Sequence, residues 1–286
     1  MINRLSRARE FVFSNARVLE RYLFSFYFEG GSCEPVIRAL TSYQNPDGGF
    51  GNALEPDKRT PFSQPQDVEI AFEILDAIGS FGGPIVRRAC DWLETVTTKE
   101  GGVPFSLPSA NDYPHAPWWG VKDAKPPAEL NPTAAIAGYL LKHGVRHPWL
   151  SGASEFCWWA IERSESKQFH DLVPMINFLT YAPDQKRAKP LLKRIAETIN
   201  APGVVELDPE KEGYVKMPLD WAPSPRSFAH DLFEEDVLRR HLGALADKQE
   251  EDGGWPISWE PISPGVALEW RGIVTIKALR TLEAYG

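Results

Sequence analysis

The chain has 286 residues, 43% of them hydrophobic and 24% charged, with a formal net charge of −8 at pH 7. That balance leaves no excess of Lys or Arg to neutralise phosphates, which argues against a nucleic-acid partner, and the scattered Cys33, Cys90 and Cys157 suit neither a disulfide framework nor paired metal ligands. No run approaches the roughly 20 apolar residues that span a bilayer, and Arg4, Arg7 and Arg9 interrupt the stretch where a signal peptide would be continuously apolar, so a cytoplasmic protein without a transmembrane segment is expected.

In chain order, 3.6-residue periodicity predicts helices with little strand pattern. The first two cover about Leu5 to Phe13 and Ala16 to Phe28. Glu34 to Tyr43 follows, with Ser32 as its N-cap and Pro35 in its first turn, and it ends at Asn45-Pro46-Asp47-Gly48-Gly49. A proline-rich connector, 51–66, leads to Asp67 to Ile78 and then Pro84 to Val96. Connector 104–131 precedes Thr133 to His143, Pro148 to Ser164, His170 to Tyr181 and Lys186 to Asn200. Connector 202–227 precedes Glu234 to Lys248 and Val266 to Tyr285. Structureless connectors this long are uncommon and often carry binding or catalysis.

An internal repeat underlies this order. Gln44-Asn45-Pro46-Asp47-Gly48-Gly49-Phe50-Gly51 returns as Gln249-Glu250-Glu251-Asp252-Gly253-Gly254-Trp255, and a worn copy is Lys99-Glu100-Gly101-Gly102-Val103-Pro104-Phe105. Gly203 lies 51 residues before Gly254, where a degenerate fourth copy should fall. A helix, a double-glycine turn and a second helix cannot bury their apolar faces alone, so such units stack or close into a ring. Ile70 to Leu75, Ala134 to Leu141 and Ile273 to Leu282 are apolar on nearly every side, as for inner helices, whereas Pro84 to Val96, Lys186 to Asn200 and Glu234 to Lys248 carry Arg and Lys on one side. The fold expected is all-α, a single double-layered α/α toroid over 1–286 with about five to six helix pairs. The three connectors are expected at one end of that barrel, as its mouth.

A glutamine, a short spacer, Asp-Gly-Gly and then Phe or Trp before an inner helix resembles the repeat of the terpenoid cyclase and protein prenyltransferase superfamily, whose domains are α/α toroids. The resemblance is sharp at Gln44 to Gly51 and at Gln249 to Trp255. It implies that Gln44, Gln249, Phe50 and Trp255 tie each outer helix's end to the next turn, and that a central cavity receives a hydrophobic or isoprenoid-type small molecule. The Asp-x-Asp-Asp motif of the class II cyclases is missing from this sequence, and the three cysteines fall in segments read as outer helices, away from where the prenyltransferase zinc triad is built. Fold resemblance therefore does not carry the chemistry over.

Candidate catalytic residues are Glu55, Asp57, Asp67 and Glu69. Glu55 and Asp57 lie in a loop stiffened by Pro56, Pro61 and Pro65, and Asp67 and Glu69 fall where a helix N-terminus stabilises carboxylates. Paired acids serve as general acid and base where burial separates their pKa values. Capping alone also accounts for Asp67 and Glu69. Candidate substrate-binding residues are Asp112, His115, Trp118 and Trp119 in the second connector, His230 and Asp231 after the third, and Glu269 and Arg271 on the closing helix. Aromatic rings in such loops stack on a sugar or stabilise a cation, or simply plug the barrel as core; Trp158 and Trp159 read as packing. Arg271 is expected to meet an acid such as Glu269, Asp67 or Asp57. No metal site and no cofactor motif is found, and no oligomeric state is indicated. The activity expected is acid catalysis on a hydrophobic small molecule; the alternatives are a glycoside hydrolase or lyase with paired carboxylates, drawing on Trp118, Trp119, Trp221 and Trp259, and a non-catalytic binding module.

Overall fold

The computed structural model describes residues 2–286, and among them the regular structure is helical, with no strand. Twelve α-helices follow in order: α1 (Ile2–Asn15), α2 (Val18–Phe28), α3 (Glu34–Thr41), α4 (Pro65–Ala77), α5 (Gly83–Val96), α6 (Leu130–Lys142), α7 (Pro148–Arg163), α8 (Phe169–Tyr181), α9 (Gln185–Ile199), α10 (Pro218–Trp221), α11 (Glu235–Asp247) and α12 (Pro264–Tyr285). Most lie within two or three residues of their expected ends. The short α10 falls inside the expected third connector, and the first backbone bond into α3 runs from Ile37 N to Cys33 O, which makes Cys33, not Ser32, the cap. No helix among the described residues is long and apolar enough to cross a membrane.

The chain divides into two compact units, Met1–Ala39 with Ala196–Gly286, and Leu40–Ile195. In the second unit α6 is the hub, packing against α4, α7 and α8. Its residues from Asn131 to Gly138 are all buried. A Cβ on Gly138 would stand 2.9 Å from the Asn177 backbone of α8, so glycine here sets the approach of the two helices; Asn177 Nδ2 then donates to Ala135 O at 3.1 Å. In the first unit α12 packs against α1, α2 and α11.

α4 departs from its expected all-round apolarity. Val68, Ala71, Phe72 and Leu75 are buried, while Gln66, Glu69, Glu73 and Asp76 follow at helical spacing on another face. That second face is polar. Burying the apolar side contributes roughly 1.5–3 kcal/mol for each large side chain removed from water.

The double-glycine turns share one geometry. Gln44 Nε2 donates to Gly48 O and to Ile85 O of α5, both at 2.9 Å. Gln249 Nε2 donates to Gly253 O and to Arg4 O of α1, again at 2.9 Å. Asp47 Oδ1 and Asp252 Oδ1 each accept the second glycine's N–H at 3.0 Å, and Phe50 and Trp255 are buried behind them. Gly48 and Gly253 hold φ of +99° and +93°, with the Arg88 and Arg7 carbonyls where a Cβ would be, at 2.3 and 2.2 Å. The worn copy keeps the fold of the turn: Gly101 has φ +95° and sits against Gly152 O of α7, and Thr98 N donates to Gly102 O at 2.9 Å. Gly203 has a positive φ but no chain packed on it, so it does not repeat this geometry.

Candidate functional site

Connectors 51–66 and 104–131 are knit together in the second unit. Lys58 and His115 form an antiparallel bridge, in which Arg59 N donates to Pro114 O at 2.9 Å and Ala116 N to Asp57 O at 2.8 Å. The buried Gln64 reinforces it, accepting from Leu107 N at 2.8 Å and donating to Ser109 Oγ at 2.9 Å. Before this pairing, Asn52 and Ala53 both adopt left-handed backbone, φ +57° and +59°. For alanine that conformation costs of order 1 kcal/mol or more and is tolerated only where surrounding structure imposes it. It turns the chain inward so that Glu55, Asp57 and Lys58 are buried together.

Three of the four candidate acids gather there. Asp67, in the first turn of α4, accepts the Glu55 backbone N–H through Oδ1 at 2.8 Å, and its Oδ2 lies 3.3 Å from Lys58 Nζ. Glu55 Oε1 accepts from Asp57 N at 3.3 Å. The Lys58 ammonium sits 4.3 Å above the Trp119 ring, which is itself stacked on Phe105 at 4.6 Å. Burial pushes the Glu55 carboxyl up to about 7; the Lys58 charge opposes the shift, and the Asp67 and Asp57 charges add to it. The arrangement is a buried carboxylic acid that keeps its proton close to neutral pH, flanked by two further carboxyls and one ammonium.

Glu69 does not join this group. It lies two residues beyond Asp67, on the polar face of α4, where it accepts from Gln66 Nε2. Burial raises the Tyr139 hydroxyl well above its ordinary range, and the charges of Glu73, Glu69 and Asp76 add to the shift. Trp119 belongs to the cluster, whereas Trp118 is 50% exposed. His115 contributes backbone to the bridge, its ring turned to Ala116 O, and Asp112 is exposed. Trp158 packs edge-on against Phe178 as expected; Trp159 is exposed instead.

The remaining candidates belong to the other unit. Arg271 clamps the second glycine turn, donating to Asp252 Oδ1 at 2.7 Å and Trp255 O at 3.2 Å, with Glu250 as a further partner. Its expected partner was one of Glu269, Asp67 or Asp57; the turn's own acids take that place because they follow the glutamine that docks it. Glu269 is half-buried on α12. His230 stacks on Tyr285 and bonds the exposed Asp231.

Lys58 joins this cluster although its sequence context does not single it out. A lysine in a charged loop reads as solvated, and the signal that it is not is its place between Pro56 and Pro61 beside three acids. Among the described residues no group of three or more His, Cys, Asp or Glu is placed to hold a metal ion. Cys90 and Cys157 are buried thiols whose ionisation burial opposes. A scan against models of protein families finds no match to the chain, and a search of characterised proteins finds none either.

Proposed function

We propose that the chain is an α/α toroid of the terpenoid cyclase type that carries out acid catalysis on an uncharged, largely hydrophobic small molecule, with Glu55 as the proton donor. The single observation that supports this is a carboxylic acid buried against Asp57, Lys58 and Asp67, with its pKa raised to about 7. Such an acid protonates an alkene, an epoxide or a glycosidic oxygen, while the Asp57 and Asp67 carboxylates stabilise the cation that results. The ring has its own support. Within one unit the turn after α3 docks on α5 and the turn after α5 docks on α7, and within the other the last turn docks on α1 with the same bonding pattern, a repeated geometry of the kind a toroid uses.

A second reading, a carbohydrate-active α/α barrel, is favoured by the half-exposed rings of Trp118 and Phe62 on the same loops, since flat aromatic faces suit a sugar ring. The test is incubation with uncharged isoprenoid alkenes and epoxides and with aryl glycosides, with products read by mass spectrometry. The proposal expects conversion of an isoprenoid that falls about 100-fold or more in Glu55→Gln and declines as pH rises through 7, where the acid form is lost. Conversion only of glycosides selects the second reading. Conversion indifferent to Glu55→Gln contradicts both, as does no conversion at all.

A further inference from the structure

We infer that the cluster binds an uncharged oxygen of its substrate, a hydroxyl or an ether, through Lys58 Nζ and the Trp119 indole N–H. This rests on the catalytic reading above and narrows its substrate class. Lys58 is wholly buried, and an ammonium carries three N–H donors. Its carboxylate neighbour is Asp67 Oδ2 at 3.3 Å, yet among the described residues no acceptor stands in hydrogen-bonding geometry to Nζ. Trp119 is only 6% exposed, and its Nε1–H likewise meets no acceptor. The two side chains are in contact, the ammonium lying 4.3 Å over the ring. Buried donors without acceptors are expensive, so an oxygen accepting from the indole N–H, or from an N–H of the ammonium beside it, relieves that cost.

Charge selects which oxygen. Lys58 and, at the cluster's edge, the half-buried Arg59 do no more than balance Asp57 and Asp67, so no positive excess draws a carboxylate or phosphate. A hydrocarbon leaves the indole N–H unmet and the ammonium with its ion pair to Asp67 alone. An alcohol or ether oxygen accepts from them, and an alcohol also gives its own hydrogen to a neighbouring carboxylate. A plain alkene therefore fits less well than an epoxide, an alcohol or a glycosidic ether.

The experiment uses four matched six-membered rings on the full chain: cyclohexanol, oxane, cyclohexanecarboxylate and methylcyclohexane. The Trp119 indole cross-peak is assigned by its loss in Trp119→Phe, which keeps an aromatic ring and removes only the N–H donor. Cyclohexanol and oxane should shift that cross-peak saturably, with the carboxylate and the hydrocarbon binding about tenfold or more weakly. By calorimetry, Trp119→Phe should weaken cyclohexanol about tenfold and leave methylcyclohexane unchanged. Equal response to the carboxylate, no response to any ring, or cyclohexanol affinity indifferent to Trp119→Phe overturns the inference. A Trp119 response to cyclohexanol in a protein without turnover supports it and removes the catalytic reading alone. Glu55-dependent turnover without a Trp119 response removes this inference alone.

Discussion

Glu55 shows how one buried side chain couples the site to the stability of the whole chain. Its carboxyl titrates near 7 in the folded protein against 4.5 as a free side chain, so between those values the folded state holds more protons than the unfolded one. Stability then falls as pH rises through this window, by about 3 kcal/mol from this group once it is fully ionised. Glu55→Gln should remove that slope, so the stability difference between variant and parent in urea melts grows in the variant's favour from pH 4.5 to 8. A constant difference would mean an ordinary carboxyl. Lys58→Met should act oppositely on the acid, raising its titration further, because the ammonium is the chief influence holding it down. The same change should destabilise the fold by about 3–5 kcal/mol, since it removes a buried ammonium from beside the Asp67 carboxylate; a loss below about 1 kcal/mol would place that ion pair in solvent.

Among the elements, the glycine turns were legible in the sequence and the loop pairing was not. In the turns each residue type has a geometric office: glutamine bonds its own turn and the helix packed on it, aspartate caps the second glycine, the first glycine takes positive φ, and the aromatic seals the corner. Short-range rules see all of these. The site depends instead on 57–59 meeting 114–116, a pairing too brief to show alternation and some 57 residues apart in the chain, so the acids were found from their composition while their ammonium was missed. α4 departs from the all-round apolarity of Ile70 to Leu75 because its register continues through Gln66, Glu69 and Asp76, which form a polar stripe. A graded test follows from the turns. Gly48→Ala and Gly253→Ala meet both positive φ and a carbonyl inside contact distance, and should each cost more than about 2 kcal/mol in denaturant melts. Gly203→Ala, with positive φ and open space, should cost only about 1 kcal/mol. Equal losses at the three positions would remove the turns' special role.

For the whole molecule, the register of the last turn on α1 makes the N-terminal helix a structural partner of the C-terminal turn, through Arg4, Arg7, Gln249 and Gly253. Removing residues 2–15 should therefore lower the thermal midpoint by several degrees and expose the backbone of 249–255 to hydrogen exchange, whereas unaltered protection there would argue against this partnership. The proposed chemistry depends on one property, the exclusion of water from Glu55, Asp57, Lys58 and Asp67. The most direct measurement is the titration of the Glu55 side-chain carboxyl in the intact protein by carbon-detected NMR, assigned with Glu55→Gln. A midpoint near 7 is the predicted result; a midpoint near 4.5, the value of a free side chain, would contradict the account.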